Sequence, residues 1–512
     1  MGASFHDGLR DMVEFSTILA GLGDAFTLIN LGFVILGVML GQIVGAIPGI
    51  GPVMAMAIAI PFTFVLDPLV AISFLVGINK GGLFGGAIPA ILINTPGTPD
   101  AAATALDGYP LAQQGKPLKA TKMALYASVT GDTFSDLVLI SVAAPLAILS
   151  LKMGPVEICA LMIFAFSIIA GLIGNSMTKG LIAALLGLLA ATVGLDPEHG
   201  TPRLYFGHFE LFDGLPLVAV AIGMLAVSEI LRRIASANRA APRPAIIASD
   251  DTDPDNIKIS RAEYWSCRFT MARGALIGTV LGAIPGIGST AAGFMSYASA
   301  RRASPKPESF GKGNIHGIAA TESANSAVMG ANLIPLLAIG IPGSISAALL
   351  ISAFKIHGIQ PGPLLFQNQG RLIYGLFGAM MMANLMNLLI GHASLRIWSR
   401  VVRAPEAIIF PSALLFCIAG VYVSTGGMFG VVIMLISALL AYGMQALGYP
   451  VIVFIIALFL GPNFESTLSQ SLVILDADPR ALLHHPIALL LLILALGSAW
   501  YLGRRSPTPH SL

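Results

Sequence analysis

The chain has 512 residues, 56% of them hydrophobic and 11% charged, with 28 Lys and Arg against 26 Asp and Glu. A water-soluble domain carries about 25% charged residues, so this composition excludes a soluble protein and describes a polytopic membrane protein. A formal charge of +2 leaves no basic excess for nucleic acid, and three scattered cysteines without a CxxC spacing suggest neither disulfides nor a zinc site.

Residues 1–27 read as a short amphipathic lead-in, without the compact apolar core and cleavage site of a removable signal peptide. Apolar runs follow near 28–46, 53–66, 69–93, 123–150, 156–173, 180–195 and 214–231. A second series lies near 274–298, 327–353, 372–394, 406–423, 428–446, 448–461 and 485–502. The runs 53–66 and 448–461 are too short to cross a ~30 Å hydrocarbon core as helices. Broken or re-entrant helices are therefore expected among about 12 transmembrane segments.

Between the two series, the stretch from Glu229 to Arg273 carries clustered basic residues around an acidic knot at 250–255. Positive charge beside membrane ends stays in the cytoplasm, which places this linker inside together with Lys116, Lys119 and Lys122, Arg396 to Arg403, and Arg504 and Arg505. The stretches 196–213 and 462–480, poorer in basic residues, fit the outside.

The chain repeats itself. GQIVGAIPGIG at Gly41–Gly51 returns as GTVLGAIPGIG at Gly278–Gly288, and IPAILINTPGT at Ile88–Thr98 lines up with IPLLAIGIPGS at Ile334–Ser344. Two membrane repeats follow, 28–231 and 274–461, joined by a cytoplasmic linker at 232–273. Residues 462–512 hold a periplasmic loop, a final transmembrane helix and a cytoplasmic tail. The charge anchors turn the copies in opposite senses, so the expected fold is an all-α membrane protein of two inverted repeats.

Each copy contains two Pro-Gly breaks inside apolar sequence: Pro48, Gly49, Ile50 and Gly51, then Asn94, Thr95, Pro96, Gly97 and Thr98, in the first. The second has Pro285, Gly286, Ile287 and Gly288 followed by Ser289 and Thr290, then Pro342, Gly343 and Ser344. Proline removes a backbone donor and glycine accepts almost any backbone geometry, so a break at membrane depth has to line protein or water. The N–H groups that open the following half-helix carry partial positive charge and suit a carboxylate. Any one such break is more often a kink or a turn at the bilayer face. Two breaks in the same order in both copies favour a shared anion cradle, in which a Cβ added at Gly49 or Gly286 would keep the anion from the backbone. Gly41, Gly45, Gly278 and Gly282 instead fit close helix packing.

Among polar residues in apolar segments, Glu322, Ser323 and Asn325, with carbonyls freed at the breaks, offer the hard oxygens that a sodium ion takes. For Lys80, Asp132 and Asp136 an interfacial location weighs equally with a functional one. There is no GxxxxGK[ST] phosphate loop and no nucleophile with a base and an orienter, so no enzyme activity and no cofactor beyond a coupling ion are expected.

With these motifs in view, the chain resembles the large membrane subunit of the tripartite tricarboxylate transporter family over essentially its whole length. The resemblance rests on GAIPGIGP at Gly45–Pro52, GLFGGAIPAILINTPGTPDAAATALDGYPLAQQGK at Gly82–Lys116 and GLDPEHGTPRLYFG at Gly194–Gly207. It continues in FGKGNIHGIAATESANSAVMGANLIPLLAIGIPGS at Phe310–Ser344 and HGIQPGPLLF at His357–Phe366. It implies a permease of the bacterial cytoplasmic membrane that takes a carboxylate from a periplasmic solute-binding protein. A small membrane subunit assists it, and a cation gradient, usually sodium, drives it. Asn79-Lys80 departs from the pattern, since relatives more often carry aromatic residues there; the lysine either adds charge to the site or snorkels. An uncoupled anion channel or facilitator is the alternative, a homo-oligomer is left open, and the identity of the carboxylate is not legible.

Overall fold

The computed structural model describes residues 15–48, 51–173, 176–196, 199–236, 254–395, 397, 406–476 and 478–504. The first half runs through α1 (Phe15–Ala25), α2 (Leu28–Gly45), α3 (Gly51–Ala59), α4 (Pro68–Ile93), α5 (Ala102–Gln113), α6 (Pro117–Ser150), α7 (Pro155–Ile173) and α8 (Met177–Ala191). A hairpin of β1 (Gly194–Leu195) and β2 (Pro202–Arg203) leads to α9 (Leu217–Ile222), which continues through a π turn into α10 (Ser228–Ser236). The linker contains α11 (Pro254–Ile257) and α12 (Arg261–Ser266).

The second half has α13 (Arg268–Gly282), α14 (Gly288–Ala303), α15 (Ile315–Ile339), α16 (Ile345–Ile356), α17 (Leu365–Asn368), α18 (Gly370–Ser394), α19 (Glu406–Thr425), α20 (Met428–Ala446) and α21 (Val451–Ile474). α22 (Pro486–Arg504) closes the chain. Among the described residues seven helices are long and apolar enough to cross a membrane, and five shorter apolar helices accompany them.

Small residues set the closest helix contacts. A Cβ on Gly41 or Gly45 would overlap the carbonyls of Ile78 and Gly82, and one on Gly278 would overlap that of Ala324, so α2 lies backbone-to-backbone on α4 as α13 does on α15. The halves also interlock. α6 of the first lies on α15 of the second, with Ser128 Oγ 2.6 Å from Ser326 Oγ, while α18 of the second reaches α2, where Gln42 Nε2 donates to Asn387 Oδ1 at 2.7 Å. α4 is apolar enough to span and yet 94% buried over its most apolar window, whereas α22 is 11% buried, so α4 is the centre of the molecule and α22 its edge.

Two boundaries differ from the apolar runs. α15 starts at Ile315 instead of 327, because Thr321, Glu322, Ser323 and Asn325 lower the hydropathy of a turn that protein, not lipid, surrounds. α21 carries the run 448–461 on through Pro462 to Ile474, so its beginning is not a short segment and 462–474 is helix, not loop. Its continuation is polar, with Glu465 bound to Arg203 of β2 by contacts of 2.5 and 3.1 Å. That pair joins two stretches which the charge pattern puts on one side. Likewise Asp255 of α11 binds Lys116 at 2.6 Å and Lys119 at 2.7 Å, joining two stretches assigned to the other. The two lysines hold the Asp255 carboxyl down to about 2.

Candidate functional site

Each break has a local cause. α4 ends at Asn94 and α15 at Gly340, both left-handed with φ of 53° and 81°, positions that correspond in the repeat. α3 and α14 open on Gly51 and Gly288, again corresponding residues, with φ of +65° and +73°. α16 opens on Ser344, whose Oγ accepts the Ala347 N–H at 3.2 Å. Thr98 precedes the 3-10 turn Pro99–Ala101 that runs into α5, and the Gly97 N–H donates to the Gly86 carbonyl at 3.1 Å. The two corners of the second half are tied together by Gly286 N–H donating to Gly343 O at 3.2 Å.

Parts of all four corners line one cavity of about 700 Å³: Gly51; Pro96, Gly97 and Thr98; Gly286, Ile287, Gly288, Ser289 and Thr290; Gly343 and Ser344. The starts of α3, α14 and α16 and of the turn into α5 therefore face one space; Pro52 and Pro99 bring no N–H, those of Ala101 and Ala347 are taken by Thr98 O and Ser344 Oγ, and the remaining first-turn N–H groups have no intrahelical partner. Asn79 and Asn325, which correspond in the repeat, stand in the wall, and Asn332 and Ser346 join them. Asn79 Nδ2 donates to Met329 Sδ at 2.8 Å, whereas neither the Oδ1 nor the Nδ2 of buried Asn325 has a protein partner. Asp100 Oδ1 accepts from Thr290 Oγ1 at 2.6 Å and sets one negative charge in the wall. At the open end lie Arg232 and Arg233, both bonded to Glu229, with 59% of the Arg232 side chain exposed.

Other expected site residues lie elsewhere. Pro48, Asn94, Thr95, Pro285 and Pro342 belong to the corners without lining the cavity, and Gly49 and Ile50 fall outside the described residues. Of the three residues expected to hold sodium only Asn325 reaches the wall. Glu322 accepts a hydrogen bond from Thr104 Oγ1 and Ser323 Oγ contacts the Ala320 carbonyl at 3.4 Å, both away from it. Among the described residues no three His, Cys, Asp or Glu side chains cluster as a metal site. Lys80 neither snorkels nor enters the cavity: it is fully buried, paired with Asp132 and Asp136.

The sequence reading passed over Asp100, Asn332, Ser346 and the mouth arginines as site residues. The repeat held part of the signal, since the register that pairs Thr98 with Ser344 pairs Asp100 with Ser346 and Asn79 with Asn325. It also passed over Asp107 of α5. Its Oδ1 accepts N–H bonds from Gly311, Gly313 and Asn314 at 2.9, 2.9 and 2.8 Å, and its Oδ2 accepts from Tyr297 Oη at 2.9 Å. This one carboxylate fastens the helix behind the Thr98 corner to the loop that precedes α15.

Residues 31–456 match the model of the Tripartite tricarboxylate transporter TctA family. The chain is 32% identical over 488 residues, 94% of each chain, to a protein of Agrobacterium vitis described as "Uncharacterized 52.8 kDa protein in TAR-I ttuC' 3'region". It is 33% identical over 219 residues to another from the same organism, "Uncharacterized protein in TAR-II ttuC' 3'region", covering 43% of this chain and 90% of that one. With a family match over most of its length and a relative aligned nearly end to end, this multi-pass membrane protein belongs to the Tripartite tricarboxylate transporter TctA family.

Proposed function

We propose that the chain is the permease that carries a carboxylate across the bacterial inner membrane by alternating access, with the anion seated on the four convergent helix starts. The observation that carries this reading is the single cavity reached by all four Pro-Gly corners. N–H groups on several helix starts favour an anion, and Arg232 and Arg233, which also line the cavity, are already paired with Glu229. About 700 Å³ is the size of a small-molecule site. Matching elements in the two halves, with corresponding left-handed caps and corresponding asparagines, support inverted repeats that rock about this seat. With the linker in the cytoplasm, the mouth at Arg232 and Arg233 faces inward, and the cavity is in its releasing orientation.

Coupling to a cation belongs to the same proposal, with sodium taken at Asn325 Oδ1 and carbonyls freed at the corners. The carboxylate is delivered by a periplasmic solute-binding protein, and the small membrane subunit completes the transporter. The test is uptake and counterflow in vesicles holding the assembled transporter. Accumulation against a gradient that fails without the binding protein, and falls when sodium is replaced by choline, is the expected result. Purely downhill flux, indifferent to sodium, would make the chain an uncoupled channel.

A further inference from the structure

Next to Asn79, behind the cavity wall, stands a group of charges that the transport reading leaves unused. Lys80 of α4 places its Nζ between two carboxylates of α6, 3.2 Å from Asp132 Oδ1 and 2.9 Å from Asp136 Oδ2, and none of the three side chains is more than 1% exposed. Asn384 of α18 donates to the same Asp136 oxygen at 2.7 Å, and Asn387 donates to the Lys80 carbonyl at 3.4 Å. α15 closes the remaining side, with Asp136 Oδ1 against Gly330. The outer oxygens, Asp132 Oδ2 and Asp136 Oδ1, are buried and receive no hydrogen bond.

The charges here sum to −1, and the surroundings do not offset it. From α15 the titratable group facing them is Glu322, which interacts with Asp132 and is itself acidic. α2 has no charged residue and α18 turns amides toward the group; Arg371 and His392 lie at the ends of α18, bound to Asp24 and Tyr126. From α5, Asp107 is already filled by its four donors. Lys116, Lys119 and Lys122 are turns away at the start of α6; Arg273 of α13, beside Gly274 where that helix lies on Ser323, is half-buried and among the described residues forms no ion pair with either aspartate. An uncompensated buried charge is costly at membrane depth, and one proton on either carboxyl removes it. A metal ion fits poorly, because the ammonium already occupies the space between the carboxylates and two outer oxygens on different faces make no coordination shell.

We propose that Lys80, Asp132 and Asp136 form a proton-binding site that loads and unloads in the transport cycle, so that a proton gradient adds to the sodium gradient in driving this chain. Loading converts one aspartate carboxylate and one proton to a carboxylic acid, with no bond change elsewhere. The site lies where α4, α6, α15 and α18 touch, and α4 and α15 bring Asn79 and Asn325 to the cavity and end at two of its corners. Releasing the proton restores the net charge to that junction and favours an arrangement in which water reaches the carboxylates. This rests on the reading of the chain as an anion carrier.

Two measurements test it. Infrared difference spectra of the purified full-length chain should contain the carbonyl band of a buried carboxylic acid at neutral pH. In a Glu322→Gln background, which removes the neighbouring buried carboxyl, that band should be lost in Asp136→Asn and in Asp132→Asn, where one carboxylate faces one ammonium, and should grow about twofold in Lys80→Met. In vesicles of the assembled transporter, an imposed pH gradient, acid outside, should raise accumulation severalfold. The ratio with and without the gradient should fall to one in either aspartate variant. The proposal is overturned if the band is unchanged in all three variants or if the ratio persists in both aspartate variants. A wild-type transporter that moves no carboxylate would overturn the carrier reading instead, and the infrared result would still stand or fall separately.

Discussion

Gly288→Ala separates the anion seat from the packing that builds it. Gly288 opens α14 at a φ of +73°, where an alanine costs ~1–2 kcal/mol. A Cβ built there meets no heavy atom within 4 Å, so the methyl enters the cavity without a clash. If it denies the anion one charged hydrogen bond, the loss is ~1.5–3 kcal/mol, or roughly tenfold to a hundredfold in affinity. The assay pairs the substrate concentration for half-maximal uptake in vesicles with the unfolding temperature in detergent. The former should rise by at least about tenfold and the latter fall by only a few degrees. A folded variant with wild-type half-saturation would refute the seating of the anion on helix starts. Gly286→Val, which the sequence singles out, is a poorer probe. Its Cβ would lie 3.1 Å from Ile169 Cα at a φ of +92°, so its failure would report packing and strain rather than a blocked anion. Gly97→Ala is excluded for a similar reason, since its Cβ would overlap the Gly45 carbonyl.

Asn325→Leu removes an amide that has no protein partner, so the unfolding temperature should hold within a few degrees while coupled uptake falls by about tenfold or more. Equal uptake at equal sodium would remove Asn325 from the site. Asp107→Ala leaves three loop N–H groups and the Tyr297 hydroxyl without their acceptor, each worth ~1–3 kcal/mol if it stays dry. Unfolding should shift down by several degrees and protease should cut within 304–314; an unaltered melting curve would show that the clamp is dispensable. Asp255→Asn tests the linker contact by hydrogen exchange of 254–266. Because the folded carboxyl is held down to about 2, below its ordinary 3.8, its contribution is complete above the ordinary value and disappears as pH falls toward 2. The wild-type and variant exchange should therefore differ at neutral pH and converge in acid, and a difference that persists in acid would assign the contact to something other than charge.

The Pro-Gly breaks, the close-packing glycines and the repeat were legible because each depends on local geometry. Proline ends the hydrogen-bond ladder wherever it stands, and Gly41 or Gly278 offers the same bare backbone in any context. The beginning of α15 and the continuation of α21 were not, because hydropathy assumes that lipid surrounds a helix. Thr321 to Asn325 are lodged instead among other helices, and α21 runs on past Glu465, which holds Arg203, to Ile474. Lys80 could be read as snorkelling or functional with equal justice until Asp132 and Asp136, more than fifty positions away, were seen to flank it.

By itself the sequence determined that this is a helical membrane protein of two matching halves, interrupted at four Pro-Gly corners. Those properties follow from composition and from the stereochemistry of two residue types. Only the tertiary structure decided that the corners open on one cavity, that Asn325 reaches it while Glu322 and Ser323 do not, and that two arginines of the linker edge stand at its mouth. Such convergence is set by how α6 and α18 cross between the halves, and contacts between residues hundreds of positions apart leave no periodicity in the chain to be read.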